Sequence, residues 1–178
     1  MEDLSIRKLV IEATEKVIEK DSWLLKNNIS EQCISHRLGI YLQEKFAEYN
    51  VDCEYNGDID RMNNKKSISI LKENLKEIGL LHEREESDLE KEFTKRAVFP
   101  DIIIHTRGTN ENNLCILEVK KSTSSVKFDY DFLKLKAYTS NFYGNNLKYR
   151  IGIFVNAIID VENPRFEFSY YKEGEQIG

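Results

Sequence analysis

Cysteine is scarce in this chain: 178 residues hold Cys33, Cys53 and Cys115, with no CxxC pair and no cysteine–histidine cluster. An odd count at wide spacing argues against a disulfide framework, and the missing cluster argues against zinc ligation. Cys115 falls in an apolar segment and reads as a small core hydrophobe. The three histidines, His36, His82 and His105, are equally scattered. His105 ends an apolar segment, where it either approaches the site described below or has a structural or solvated role. There is no GxxxxGK[ST], GxGxxG or GxSxG, so nucleotide cofactors and serine hydrolysis have no support. No apolar run approaches the length of a membrane span, and Met1-Glu2-Asp3-Leu4-Ser5 lacks the basic-then-apolar profile of a signal peptide. The expectation is a soluble, cytoplasmic protein without a membrane partner. Internal repeats and low-complexity segments are absent as well.

What is present suffices for a sizeable core, with 40% hydrophobic and 11% aromatic residues. The length suits one domain over 1–178. Leu4, Leu9, Val10, Ala13, Val17 and Ile18 recur at helical spacing, and Asp21-Ser22 breaks the pattern. Ser30 is a suitable N-cap for a second helix to about Tyr49, with Ile34, Leu38, Tyr41, Leu42 and Phe46 as its inward stripe. Val51 to Tyr55 reads as a strand. Residues 57–97 read as a helical insertion between the first two strands, with Ile68 to Ile78 helical and His82 to Phe93 a charged, solvated face. A helix from about Tyr130 to Tyr143, a strand from Tyr149 to Asn156 and an alternating strand from Arg165 to Tyr170 follow. The fold class is α/β: a central mixed sheet flanked by helices.

The chemistry concentrates in two short apolar strands. Pro100-Asp101 heads Ile102-Ile103-Ile104, and Glu118-Val119-Lys120 closes Leu114-Cys115-Ile116-Leu117. Charges in such strands cost several kcal/mol unless paired or bound to a metal. Residues two apart share a strand face, so Glu118 and Lys120 project together. With Thr106 to Asn113 as a hairpin, the strands become neighbours and Asp101 joins them. Two carboxylates and an ammonium on one surface suit a metal-dependent phosphodiesterase using Mg²⁺ or Mn²⁺, hard cations that prefer oxygen ligands. Lys120 would then orient or deprotonate water, or stabilise charge in the transition state. The simpler reading is an ordinary buried ion pair. Glu31 is either a first-turn acid favoured by the helix dipole or a third acid aimed at the metal site, and Glu54 reaches the site in one strand register.

The order helix, three strands, helix, strand, with P-D on the second strand and E-x-K on the third, resembles the PD-(D/E)XK nuclease superfamily. That superfamily includes restriction endonucleases, archaeal-type Holliday junction resolvases and many bacterial defence nucleases. The resemblance runs from Ser30 to about Asn156 without the insertion. It is carried most specifically by Val98-Phe99-Pro100-Asp101-Ile102-Ile103-Ile104-His105 and Cys115-Ile116-Leu117-Glu118-Val119-Lys120-Lys121. It implies a restriction-endonuclease-like αβββαβ core, Asp101 and Glu118 as metal ligands and Lys120 as catalytic lysine. Glu31 matches an acid that many members carry on the helix before the first strand.

Net charge is −5, yet Lys120 to Arg150 holds seven basic residues against two acidic ones. A basic surface beside carboxylates suits phosphate-backbone contact, and solvated helix lysines give the same count. Lys121, Lys127 and Lys134 are the candidate nucleic-acid contacts. The leading expectation is a Mg²⁺-dependent endodeoxyribonuclease acting on DNA in restriction, phage defence or repair, as a homodimer or with a partner protein on the insertion. The alternatives are a non-catalytic nuclease-like module and a plain α/β domain.

Overall fold

A computed structural model describes residues 1–58 and 65–178. Helix α1 (Asp3–Lys26) buries Ile6, Val10, Ala13 and Val17, spaced three or four apart so that they share one face. It bends at Asp21, where the backbone leaves helical geometry (φ −126°, ψ 20°). The Asp21 carboxylate accepts hydrogen bonds from Arg37 Nε (3.1 Å) and Tyr41 Oη (2.6 Å), tying α1 to α2 (Glu31–Lys45). Ser30 caps α2 by accepting the Cys33 N–H at 3.3 Å, and all five stripe residues from Ile34 to Phe46 are buried. Gly39 lets α2 lie close on the sheet, since a Cβ there would sit 2.7 Å from Cys53 Sγ.

The main sheet has six strands in the order β1 (Asn50–Cys53), β4 (Ile102–His105), β5 (Cys115–Lys121), β6 (Ile151–Ile158), β7 (Arg165–Lys172), β8 (Glu175–Ile177). The β5–β6 pair is parallel, crossed over by α5 (Asp129–Thr139), and every other pair is antiparallel. The sheet is therefore mixed and flanked by helices, as expected. Alternation sorts its side chains between two cores. Ile102, Ile104, Cys115, Leu117 and Val119 pack with α1 and α2, whereas Ile103, Ile116 and Phe154 pack with Leu135 and Tyr138 of α5. Among the described residues no helix is long and apolar enough to cross a membrane.

The expected insertion is present but is not mainly helical. Ser67–Leu71 forms β2, paired antiparallel with β3 (Phe93–Ala97), and among its described residues only Lys72–Glu77 (α3) and Glu83–Glu86 (α4) are helices. The alternation Ser67-Ile68-Ser69-Ile70 has period two, which the longer helical reading of Ile68 to Ile78 overlooked. Residues 59–64 of the expected insertion lie outside the described residues. Helix α5 stops at Thr139, short of Tyr143, and a single 3₁₀ turn (Phe142–Gly144) follows. The chain then turns back after β7 through Glu173-Gly174, both at positive φ, into the unanticipated β8.

The hairpin β2–β3 is clipped to the body by one side chain. Asn145 Oδ1 accepts the Ser69 N–H at 2.8 Å and its Nδ2 donates to the Ser69 carbonyl at 3.0 Å, both buried. Replacing Asn145 with alanine leaves that N–H and C=O without partners, at a cost of about 2–3 kcal/mol. Urea unfolding should report this loss, together with faster amide exchange at Ser69. A change below about 0.5 kcal/mol, with exchange unaltered, would show that the clip contributes nothing.

Candidate active site

Asp101 stands immediately before β4, one step beyond the ladder pair Ile102–Leu117, and so lies opposite Glu118. Its Oδ2 accepts the Val119 N–H at 2.7 Å, which holds the carboxylate against the β5 backbone. Glu118 and Lys120 alternate with Val119 and face α5, the side on which Ile116 packs. The strands and hairpin inferred from sequence thus bring Asp101, Glu118 and Lys120 together.

Helix α5 completes the cluster. Asp131, Lys134 and Tyr138 fall at positions i, i+3 and i+7 on one helix face. Lys134 Nζ lies 2.6 Å from Glu118 Oε2 and 2.7 Å from Asp131 Oδ1. Tyr138 donates its hydroxyl to Glu118 Oε1 at 3.0 Å. Lys120 Nζ sits more loosely, 3.5 Å from Glu31 Oε2 and 3.8 Å from Asp131 Oδ2. Glu31 Oε1 also accepts the Lys121 N–H at 3.1 Å. Glu31 is therefore both a first-turn residue of α2 and a member of the cluster, which it joins through Lys120.

Four carboxyl groups consequently share two ammonium groups, so the acids outnumber the bases by two. Glu118 is 1% exposed and Asp131 4%. Burial pushes the Glu118 carboxyl up to about 8, with Lys134 pulling the other way and Asp101 and Asp131 adding to the rise. Burial likewise raises Asp101, against the Val119 N–H and the two lysines. Burial works to lower Lys134, but Glu118 and Asp131 overcome it and hold the ammonium firmly charged. Lys120 is raised in the same way: burial opposes it, and Asp131, Asp101 and Glu31 prevail.

Among the described residues no three histidine, cysteine, aspartate or glutamate side chains converge to hold a metal ion. The donor set nevertheless fits a hard cation. Its oxygens come from carboxyl groups, its acids outnumber its bases, and Mg²⁺ needs only one or two carboxylates while keeping its waters. A groove of about 310 Å³ opens beside Asp101, lined by Gln32, Ser35, His36, Cys53 and Glu54. Glu54, at φ +52°, gives its N–H to the Asp101 carbonyl (3.0 Å), while its carboxylate accepts from Gln32 (2.8 Å).

Other expected site residues lie elsewhere. Lys134, read as a phosphate contact, turns inward and is occupied by Glu118 and Asp131. Lys127 is exposed on the loop before α5, and Lys121 Nζ reaches Asn28 Oδ1 at 2.8 Å. His105 is at the far end of β4, with Nε2 2.9 Å from Asp52 Oδ2 and its ring against Tyr55. It has the structural role. Asp131 and Tyr138 went unread as site residues. Their signal was the polar 131, 134, 138 stripe on a helix that must pack against a sheet. Comparison of the chain with protein-family models, curated proteins and solved structures finds no match.

Glu118→Gln keeps the shape and the Tyr138 partner while removing the charge. A carboxyl raised from 4.5 to about 8 binds its proton more tightly folded than unfolded. Its stabilising contribution is full below 4.5 and is lost as pH rises through 8. Without divalent ions the variant should match the wild type near pH 5 and exceed it by on the order of 2 kcal/mol near pH 9. Urea unfolding at both pH values measures the gap, and a gap independent of pH refutes the assignment.

Proposed function

We propose that this chain is a Mg²⁺- or Mn²⁺-dependent nuclease that hydrolyses DNA phosphodiester bonds as an endonuclease, with Asp101, Glu118 and Lys120 as its catalytic set. The observation that carries the reading is the juxtaposition of Asp101 and Glu118 across β4 and β5, with Lys120 on the same face and the acids of the cluster outnumbering its bases. The order α2, β1, β4, β5, α5, β6, with the insertion between β1 and β4, supports the restriction-endonuclease-like core that the sequence resembles.

Within this reading Asp101 and Glu118 would hold the cation, whose chemistry when bound would be to polarise the phosphate and lower the pKa of water. Lys120 orients the attacking water beside the scissile phosphate and offsets the charge that builds there. Glu31 keeps the Lys120 ammonium at the mouth of the cluster. Lys121 and Lys127, on the strand end and the following loop, would meet the phosphate backbone. One site per chain cuts one strand, so duplex cutting would suit a homodimer.

Incubation with supercoiled, linear duplex and single-stranded DNA, with Mg²⁺ or Mn²⁺ and an EDTA control, tests the proposal. Asp101→Ala and Lys120→Ala should each lower metal-dependent cleavage by about 100-fold or more while leaving the folded circular-dichroism spectrum intact. Wild-type turnover by Lys120→Ala removes that lysine from catalysis. Metal binding without cleavage of any DNA would reject the DNA substrate. Loss of metal binding as well would favour the non-catalytic module, a reading that gains weight from Glu118 having both oxygens already hydrogen-bonded.

A further inference from the structure

Lys134 is the most constrained charge in the cluster, and the nuclease reading gives it no role. Its ammonium stands between Glu118 and Asp131 at 2.6 and 2.7 Å, with its side chain 12% exposed. The Tyr130 ring lies 5.6 Å from the ammonium on its own helix. Glu118 Oε1 is taken by Tyr138, so Oε2 is the oxygen left for any further partner, and Lys134 holds it. Lys120, by contrast, keeps to Glu31 and Asp131 at longer range.

We propose that Lys134 is a built-in counterion that competes with the divalent cation for Glu118. In the metal-free protein it supplies positive charge where the buried carboxylates need it, so the fold tolerates an otherwise self-repelling site. When the cation binds, Glu118 Oε2 is released by Lys134, which keeps its second partner, Asp131. The i, i+3 relation of Asp131 and Lys134 makes that exchange local, because one helix face carries both the ammonium and the carboxylate that retains it. Lys134 is thus a positioning residue that sets how readily the site loads. This inference rests on the metal-dependent reading.

Equilibrium binding of Mn²⁺, followed by the loss of its free-ion paramagnetic resonance signal, tests it without reference to activity. Lys134→Met removes the competitor and keeps the stem, and should bind Mn²⁺ about tenfold more tightly than the wild type, the scale on which outer-shell groups move metal affinity. In the unaltered protein, acetylation of Lys134 read by mass spectrometry should rise on adding Mg²⁺, with that of Lys121 and Lys127 unchanged. Equal or weaker binding by the variant, or Lys134 labelling unaffected by Mg²⁺ that binds, overturns the proposal and leaves the nuclease reading standing. Absence of Mn²⁺ binding by both proteins overturns the two together. The labelling arm decides the matter should Lys134→Met fail to fold.

Discussion

The buried contact of Glu118 with Lys134 and Tyr138 is the constraint on which the rest of the site depends. It lies where β5 meets α5, so it fixes the helix over the sheet at the end where the β5 carboxylate and lysine emerge. A carboxylate 1% exposed cannot persist there without donors, because desolvation outweighs any single Coulomb attraction. One turn of α5 supplies those donors, Lys134 and Tyr138, from one face. Leu135, between them in sequence, turns into the apolar core with Ile116 and Phe154, and Gly152 makes room for it, since a Cβ there would lie 3.1 Å from Leu135 Cδ2. Packing and polar contacts therefore demand the same placement of α5.

Much of this was legible in the sequence, and the reasons differ from residue to residue. Asp101 and Glu118 stood out because charge at the edge of an apolar β-branched strand is costly enough to need explaining. Their alignment followed from the hairpin between them, whose length fixes the register. Ser30 announced the start of α2 through its cap, and the α2 stripe followed from period alone. The β2–β3 hairpin was missed because its strands are short and its neighbours highly charged, so three apolar positions in Ser67–Leu71 looked like the beginning of the helix that in fact starts at Lys72. The clip by Asn145, 76 positions away, has no local signature.

Lys134 shows where sequence reasoning gives out. A lysine on a helix with mixed apolar faces is most often solvated, and counting charges along Lys120–Arg150 suggested a basic surface. The fold divides that count: Lys120 and Lys134 turn inward, Arg150 pairs with Asp3 at 2.6 Å, and Lys121 and Lys127 remain on the outside. Which lysines are which depends on the rotation of α5 about its axis, set by Leu135 and Tyr138 against the sheet. Propensity and net charge are blind to that rotation.

The two ends of β4 offer a comparison internal to the protein. Beyond His105 lies a second polar cluster: half-buried Asp52 takes the exposed Arg107 Nε at 2.8 Å and the His105 ring at 2.9 Å, and Lys66 and Asp58 lie nearby, each 1% exposed. Burial lowers His105 despite Asp52, so the ring stays neutral near pH 7. Two acids then face two bases among the described residues, and the charges cancel. At the Asp101 end four acids face two bases among the described residues, and burial meets part of that excess by raising the Glu118 carboxyl to about 8. Folding alone would select against that imbalance, because replacing buried charges with apolar groups is commonly neutral or stabilising. The balanced cluster is explained by its own pairs, whereas the proposed divalent cation would supply the charge that the unbalanced one lacks. The same strand therefore carries, at its two ends, a polar network whose charges pair and one in which acids outnumber bases.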